Sequence, residues 1–262
     1  MTEYKALFLD IDGTILKPDH TIENSTREAI RQVKAKGLEI FLATGRPLHE
    51  VSHIAEELDI HSFIGYNGAF AIYQDREILN EAMKKETVEY YLKVCEQHDH
   101  EMVLYTSDKN LFTSLDKSYV KQFIANFDLK QNHLFTTDQA ENILGITIMN
   151  LTEPEIPLYE TNEPIFFSQV NVADFTHNYD VIRENVNKGR AIKIALDELG
   201  FEPSNAIAFG DGMNDKQMLE YVGESFAMGN AHQDLFAYAK HQTTTVEDNG
   251  IYNGLKKIGL ID

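Results

Sequence analysis

The chain has 262 residues, 43% of them hydrophobic, enough to build one large domain or two modest ones around packed cores. It carries 23 Lys and Arg against 42 Asp and Glu, a net charge of −19. That balance argues against a nucleic acid partner, whose backbone demands a basic face, and disfavours an anionic membrane surface; most of the acidity reads as solvated surface that aids solubility.

The elements begin with a strand over residues 5–9, whose Ala6-Leu7-Phe8-Leu9 runs straight into the acidic loop Asp10-Ile11-Asp12-Gly13-Thr14. Ser25-Thr26-Arg27-Glu28 has the spacing of a capping box, and Ala29, Ile30 and Val33 then form a helical stripe up to Lys36, stopped by Gly37. Residues 38–43 are nearly all apolar, as a parallel strand covered on both faces should be, and end at Thr44-Gly45-Arg46. Pro47 suits a first helical turn, and Val51, Ile54, Ala55 and Leu58 recur at helical spacing. A short third strand, Phe63-Ile64-Gly65, ends at Tyr66-Asn67-Gly68-Ala69. A hairpin follows, its strands at 70–73 and 77–79 joined through Gln74-Asp75-Arg76.

From about residue 83 to 187 the strand–helix alternation fades. Helical stretches at 88–97 and 119–127 mix with β-like runs at 102–105 and 146–150, broken by Pro154, Pro157 and Pro164. This reads as an α+β insertion. Alternation resumes after Lys188-Gly189. Ile192, Ala195, Leu196 and Leu199 mark an amphipathic helix closed by Gly200. The strand 206–209 then leads into a second acidic loop, Gly210-Asp211-Gly212-Met213-Asn214-Asp215. The pattern further predicts a strand at 225–228, a turn at Gly229-Asn230, a helix over 231–240, a strand at 242–245 and a helix reaching Ile258.

Two strand ends that each deliver paired carboxylates point to one hard-cation site. In an open parallel sheet, function collects outside the carboxyl ends of the strands. Two like charges about 4 Å apart repel by roughly 4 kcal/mol at an effective dielectric of 20, so four gathered acids need a cation to stay ionised. Carboxylates, backbone carbonyls and water are what Mg²⁺ prefers, with phosphate completing the shell. One Asp-x-Asp alone is an ordinary solvated turn; two complementary loops, each behind an apolar run, are not.

Read together, the strand ends supply Asp10, Asp12, Thr44, Lys188, Asp211 and Asp215, and here the sequence resembles the haloacid dehalogenase (HAD) superfamily. Asp10-Ile11-Asp12-Gly13-Thr14 is similar to its first motif, and Ala43-Thr44-Gly45-Arg46, Asn187-Lys188-Gly189 and Gly210–Asp215 to its second, third and fourth. Asn67-Gly68-Ala69 and the placement of the insertion resemble the Cof-type branch, phosphatases with a large α/β cap. The resemblance implies a doubly wound, Rossmann-like parallel-sheet α/β core over 1–82 and 188–262, with an inserted α+β cap over 83–187. It implies Asp10 as nucleophile, forming an aspartyl-phosphate, and Asp12 as acid and then base. Mg²⁺ would be held by Asp10, Asp211 and the Asp12 carbonyl, with Asp215 in support. Phosphate would be bound by Thr44, Lys188, Asn214 and the backbone N–H groups of Ile11 and Gly45. Arg46 reads as either a substrate contact or an ion pair at the helix start, and Asn67 as either a substrate contact or the cap of a turn.

The implied activity is Mg²⁺-dependent hydrolysis of a small phosphorylated metabolite, a sugar phosphate or a phosphorylated cofactor. A phosphotransferase or phosphomutase would use the same aspartate, and a non-catalytic metal-bound interaction module is the reading from another class; oligomeric state stays open. No Gly-x-x-x-x-Gly-Lys-Ser/Thr or Gly-x-Gly-x-x-Gly is present, which argues against a nucleotide kinase or a dehydrogenase. Cys95 is the sole cysteine and reads as an inert thiol. His98-Asp99-His100 reads as a solvated turn, and Tyr90, Tyr91 and Tyr119 as cap core. Residues 1–5 lack the basic start and apolar stretch of a signal peptide, and no run approaches ~18 apolar residues, so a cytoplasmic protein is expected.

Overall fold

The computed structural model describes residues 3–170, 172 and 174–262. Its packing separates two compact units. The first holds the residues up to Arg46, Ser52–Leu79 and Asn187–Asp262, and the second holds Pro47–Val51 and Asn80–Val186. These bounds differ from the sequence-based division: residues 47–51 and 80–82 pack with the second unit, and Asn187 with the first. The reason for the short excursion is polar. The Glu50 carboxylate accepts from Asn110 Nδ2 at 2.6 Å and from the Lys130 backbone N–H at 2.9 Å, while His49 Nε2 lies 3.0 Å from Asn110 Oδ1.

In the first unit, the elements are β1 (Ala6–Leu9), α1 (Asn24–Ala35), β2 (Glu39–Ala43), α2 (Ser52–Leu58), β3 (Phe63–Gly65), β4 (Phe70–Tyr73) and β5 (Arg76–Asn80). Within the second unit are α3 (Lys85–His98), β6 (Glu101–Tyr105), β7 (Asn110–Phe112), α4 (Ser118–Asn126), β8 (Asn132–Leu134), β9 (Gly145–Met149), β10 (Ile165–Gln169) and β11 (Asn178–Arg183). The chain then returns with α5 (Lys188–Leu199), β12 (Ala206–Gly210), α6 (Lys216–Tyr221), β13 (Glu224–Ala227), β14 (His241–Gln242) and α7 (Gly250–Lys257).

Among the described residues the first unit's sheet has eight strands in the order β14-β13-β12-β1-β2-β3-β4-β5. The ladders from β14 through β3 are parallel, and β4 is antiparallel to β3. Strand β1 is fully buried on both faces, which is why its sequence is continuously apolar. Phe8 and Phe41 stack at 5.0 Å between ring centroids and bury against Ala191, Ile192, Ala195 and Leu196 of α5. The chain leaves β1 toward β2 and β3 on one side, and later adds β12, β13 and β14 on the other. Strand β1 is therefore the switch point, and the loops after β1, β2 and β12 open at one crevice.

Local expectations fail in three places here. No capping box forms at Ser25: the helix starts at Asn24 with Glu23 as its cap, and Glu28 bonds Arg31 and Gln32 instead. The helix expected over 231–240 is only a short 3₁₀ segment, Gln233–Ala237, preceded by His232, whose backbone N–H donates to the Asp211 carbonyl. The last strand is the two-residue His241–Gln242 instead of 242–245.

The second unit's sheet has the order β10-β11-β9-β6-β7-β8, antiparallel except for the β7–β8 pair. Alternate residues face opposite helices. Met102, Leu104, Ile146 and Ile148 pack with Val88, Tyr91, Val94 and Cys95 of α3. Val103, Phe112 and Met149 pack with Val120 and Phe123 of α4. Tyr91 is core as expected, but Tyr90 is largely exposed. His100 is buried, not solvated, with Nδ1 2.8 Å from the Tyr159 hydroxyl.

Candidate active site

The loop after β1 and the loop after β12 meet. One carboxylate oxygen from each of Asp10, Asp211 and Asp215 lies within 4.8 Å of the others. Between them sits Lys188, fully buried at the first turn of α5, with Nζ 2.6 Å from Asp10 Oδ1 and 2.6 Å from Asp215 Oδ1. Helix α5 starts there because Asn187 caps it, its side chain accepting from the Arg190 N–H at 2.9 Å.

The glycines set how closely these parts approach. Gly13 has φ +78°, and a Cβ on it would lie 2.2 Å from Asp211 Oδ2. Gly68, with φ +101°, presses the loop after β3 against the Lys188 segment; a Cβ there would lie 2.3 Å from the Asn187 carbonyl oxygen. Tyr66 and Asn67 just before it also hold positive φ, 54° each. Consecutive left-handed non-glycine residues are strained and persist only where surrounding structure imposes them.

Charge dominates the site. Burial, with Asp215 and Asp211 nearby, pushes the Asp10 carboxyl well above the usual carboxylate range, against the pull of Lys188. Burial and Asp215 push Asp211 up to about 6, with the Thr14 hydroxyl working the other way. Burial opposes the charge on Lys188, but Asp10 and Asp215 hold its ammonium above the usual lysine range. Three carboxylates against one ammonium leave the cluster short of positive charge, and its donors are all hard oxygens. The set therefore fits a divalent cation such as Mg²⁺. Asp215 is suited to support, because Oδ1 meets Lys188 and Oδ2 accepts the N–H groups of Asp211 and Gly212 at 2.9 and 3.0 Å.

Thr44 is buried at the end of β2, and its hydroxyl accepts from the Arg46 N–H at 3.0 Å, which leaves its own proton to donate. Gly45 faces the Asn67 side chain, where a Cβ would lie 2.9 Å from Oδ1. Asn67 Oδ1 in turn accepts from Asn214 Nδ2 at 3.0 Å. Ile11 is buried, with its carbonyl accepting from Ile15 and Leu16 and so closing the first acidic loop. The Asp12 carboxylate is bound by Arg46, whose Nε donates to Oδ2 at 2.7 Å.

Two residues at the crevice were missed in the sequence. The Thr14 hydroxyl donates to Asp211 Oδ1 at 3.1 Å. Asn230 Nδ2 donates to the Gly13 carbonyl at 2.8 Å and reaches Asp211 Oδ2 at 3.4 Å. The signal for Asn230 was positional, since it lies just past the carboxyl end of β13, beside the β12 loop.

Comparison with known proteins identifies the family. A family profile described as haloacid dehalogenase-like hydrolase matches residues 7–255. The chain is similar to YkrA of Bacillus subtilis (strain 168), 33% identical over 260 residues, covering 98% of each chain. It is also similar to the 5-amino-6-(5-phospho-D-ribitylamino)uracil phosphatase YitU of the same strain, 25% identical over 265 residues and 95% of each chain. The solved structure of the HAD subclass IIB sugar phosphatase BT4131 superimposes with a TM-score of 0.82 at 27% identity, covering 98% of this chain and 100% of that one. The chain belongs to the haloacid dehalogenase-like hydrolases, with an α/β core of that fold, and it is a phosphatase. Among the described residues, no helix is long and apolar enough to cross a membrane.

Proposed function

We propose that this protein is a Mg²⁺-dependent phosphatase that hydrolyses small phosphorylated metabolites, sugar phosphates or phosphorylated cofactors, through an aspartyl-phosphate on Asp10. One observation carries the reading: a fully buried Lys188 bonds Asp10 and Asp215 together, with Asp211 beside them. A lysine placed there can hold a phosphate oxygen as well as the nucleophile.

Asp10, Asp211 and the Asp12 carbonyl would hold Mg²⁺, with Asp215 in support. The bound ion would screen the anionic nucleophile from the phosphate dianion and polarise the phosphoryl group. Lys188, the Thr44 hydroxyl, Asn214 and the N–H groups of Ile11 and Gly45 grip the phosphoryl oxygens, where charge develops. A carboxylate oxygen of Asp10 forms a bond to phosphorus as the bond to the leaving oxygen breaks, and Asp12 gives that oxygen its proton. Asp12, now a carboxylate, takes a proton from water. The resulting hydroxide attacks the phosphorus, frees inorganic phosphate and restores Asp10. The inserted second unit is read as the cap that selects the leaving group. The names of YitU and BT4131 support a phosphorylated polyol or sugar as substrate.

The test is phosphate release from a panel of phosphorylated metabolites with Mg²⁺ and with EDTA. Turnover with Mg²⁺, loss in EDTA and loss in Asp10→Asn are expected. Undiminished turnover in EDTA would remove the metal from the reading. Phosphoryl groups appearing on a second alcohol instead of in water would make the protein a transferase.

A further inference from the structure

Asn230 is an exposed residue whose side chain is nonetheless fully committed. Its Oδ1 accepts from the Val246 N–H at 2.9 Å; its Nδ2 donates to the Gly13 carbonyl at 2.8 Å and lies 3.4 Å from Asp211 Oδ2. The carboxamide can point only one way, because an N–H needs the oxygen and a carbonyl needs the NH₂. Three chain segments distant in sequence are thereby joined: the acidic loop after β1, the acidic loop after β12, and the turn before α7.

The surrounding backbone reinforces this brace. The Met228 N–H donates to the Gly210 carbonyl at 3.0 Å, the Gly229 N–H to Thr244 at 2.9 Å, and the His232 N–H to the Asp211 carbonyl at 2.9 Å. A Cβ on Gly229 would lie 2.8 Å from the Thr245 nitrogen, so the segment is seated tightly. The two oxygens of Asp211 are also divided: Oδ1 takes the Thr14 hydroxyl and Oδ2 faces Asn230. Gly13 directly follows Asp12, whose carbonyl is the backbone ligand proposed above for the cation. Asn230 thus touches Asp211 and the residue that aims the Asp12 carbonyl.

We infer that Asn230 is a positioning residue that presets the Asp211 carboxylate and the Asp12-Gly13-Thr14 turn for the divalent cation. This rests on the metal reading above. Groups behind metal ligands tune affinity strongly, and their removal typically weakens binding by about 10–100-fold.

The experiment is a calorimetric titration of the metal-free full-length protein with Mg²⁺ alone, alongside hydrogen exchange without metal. Asn230→Ala should weaken Mg²⁺ binding by about 10-fold or more and speed exchange at residues 12–16. Asn253→Ala is the control. Asn253 Nδ2 anchors the same C-terminal turn, through the Thr244 hydroxyl at 2.9 Å and the Asp248 carbonyl at 3.0 Å. It should loosen that turn while leaving Mg²⁺ affinity within about two-fold, since a group bonded to no ligand has little hold on the ion. Asn230→Ser replaces the alanine variant if that one does not fold, with the same expectation. Wild-type protein that binds no Mg²⁺ would overturn the metal reading and this inference together. Unchanged affinity in the Asn230 variant, or equal weakening in both, would overturn the positioning role alone.

Discussion

Asp12 is gripped by Arg46 through two parallel contacts, Nε to Oδ2 at 2.7 Å and Nη2 to Oδ1. The pair is partly exposed, so its contribution to stability is small, and its effect is on direction. The guanidinium fork meets both oxygens and so fixes the plane of the Asp12 carboxylate. Arg46→Ala should therefore leave stability nearly unchanged and lower kcat by about 10- to 100-fold on a sugar phosphate, where protonation of the leaving group matters. The loss should be smaller on p-nitrophenyl phosphate, whose leaving group needs little help. Arg46→Lys should not restore the rate, because a point charge lacks the fork. Equal losses on the two substrates would show that Arg46 acts on binding instead.

The buried ammonium makes the opposite case. Lys188 is completely enclosed and bonded to two carboxylates. Lys188→Met keeps the volume but leaves Asp10 and Asp215 facing each other without compensation. Breaking a buried pair by removing one partner costs about 3–5 kcal/mol. Chemical denaturation in EDTA should show a loss of that size, and saturating Mg²⁺ should recover part of it, because the ion replaces the missing positive charge. Phosphate release should be abolished under either condition.

How far the sequence reveals this molecule follows from where burial writes a pattern. Leu7, Phe8 and Leu9 lie in a strand covered on both faces, so the run before Asp10 is unbroken and the loop position is plain. Ala206–Phe209 mark the strand before Asp211 in the same way. In the second unit, Asn110–Phe112, Asn132–Leu134 and Ile165–Gln169 are short or largely exposed strands. Their pairing is decided by partners far along the chain, so their local pattern says little. Ser25 and Glu28 carry a capping signature that tertiary contacts override, since Arg27 is drawn to Glu57 and to the Ile22 carbonyl. Asn230 and Thr14 touch Asp211 only because three loops converge, and no spacing records that.

The glycines offer a clean comparison of strain with collision. Gly37 has φ +82° and open space where a Cβ would go, whereas Gly68 has φ +101° and the Asn187 carbonyl in the way. Gly37→Ala should cost about 1–2 kcal/mol from backbone strain alone, with kcat unaffected. Gly68→Ala adds a collision with the residue that caps α5 beside Lys188, so it should cost more and reduce kcat as well. Parallel urea unfolding and steady-state assays check both. Equal destabilisation in the two variants would mean that the loop after β3 yields without disturbing Lys188.

The second unit should respond to pH through His100. Its imidazole is buried with Nδ1 2.8 Å from the Tyr159 hydroxyl and Nε2 3.4 Å from Glu155. Burial lowers its pKa below the usual histidine value, although Glu155 pulls the other way. The folded state therefore binds this proton less readily than the unfolded chain. Stability from His100 is present above the ordinary histidine pKa of about 6.5 and is lost as pH falls through that value toward the lower folded one. Urea midpoints measured at pH 7.5 and pH 5.5 should drop more for wild type than for His100→Gln, which stays neutral throughout. The two carboxylates raised by burial in the first unit are common to both proteins, so the difference isolates the histidine. A larger drop in the glutamine variant would mean that Glu155 outweighs burial and that the imidazole is held charged.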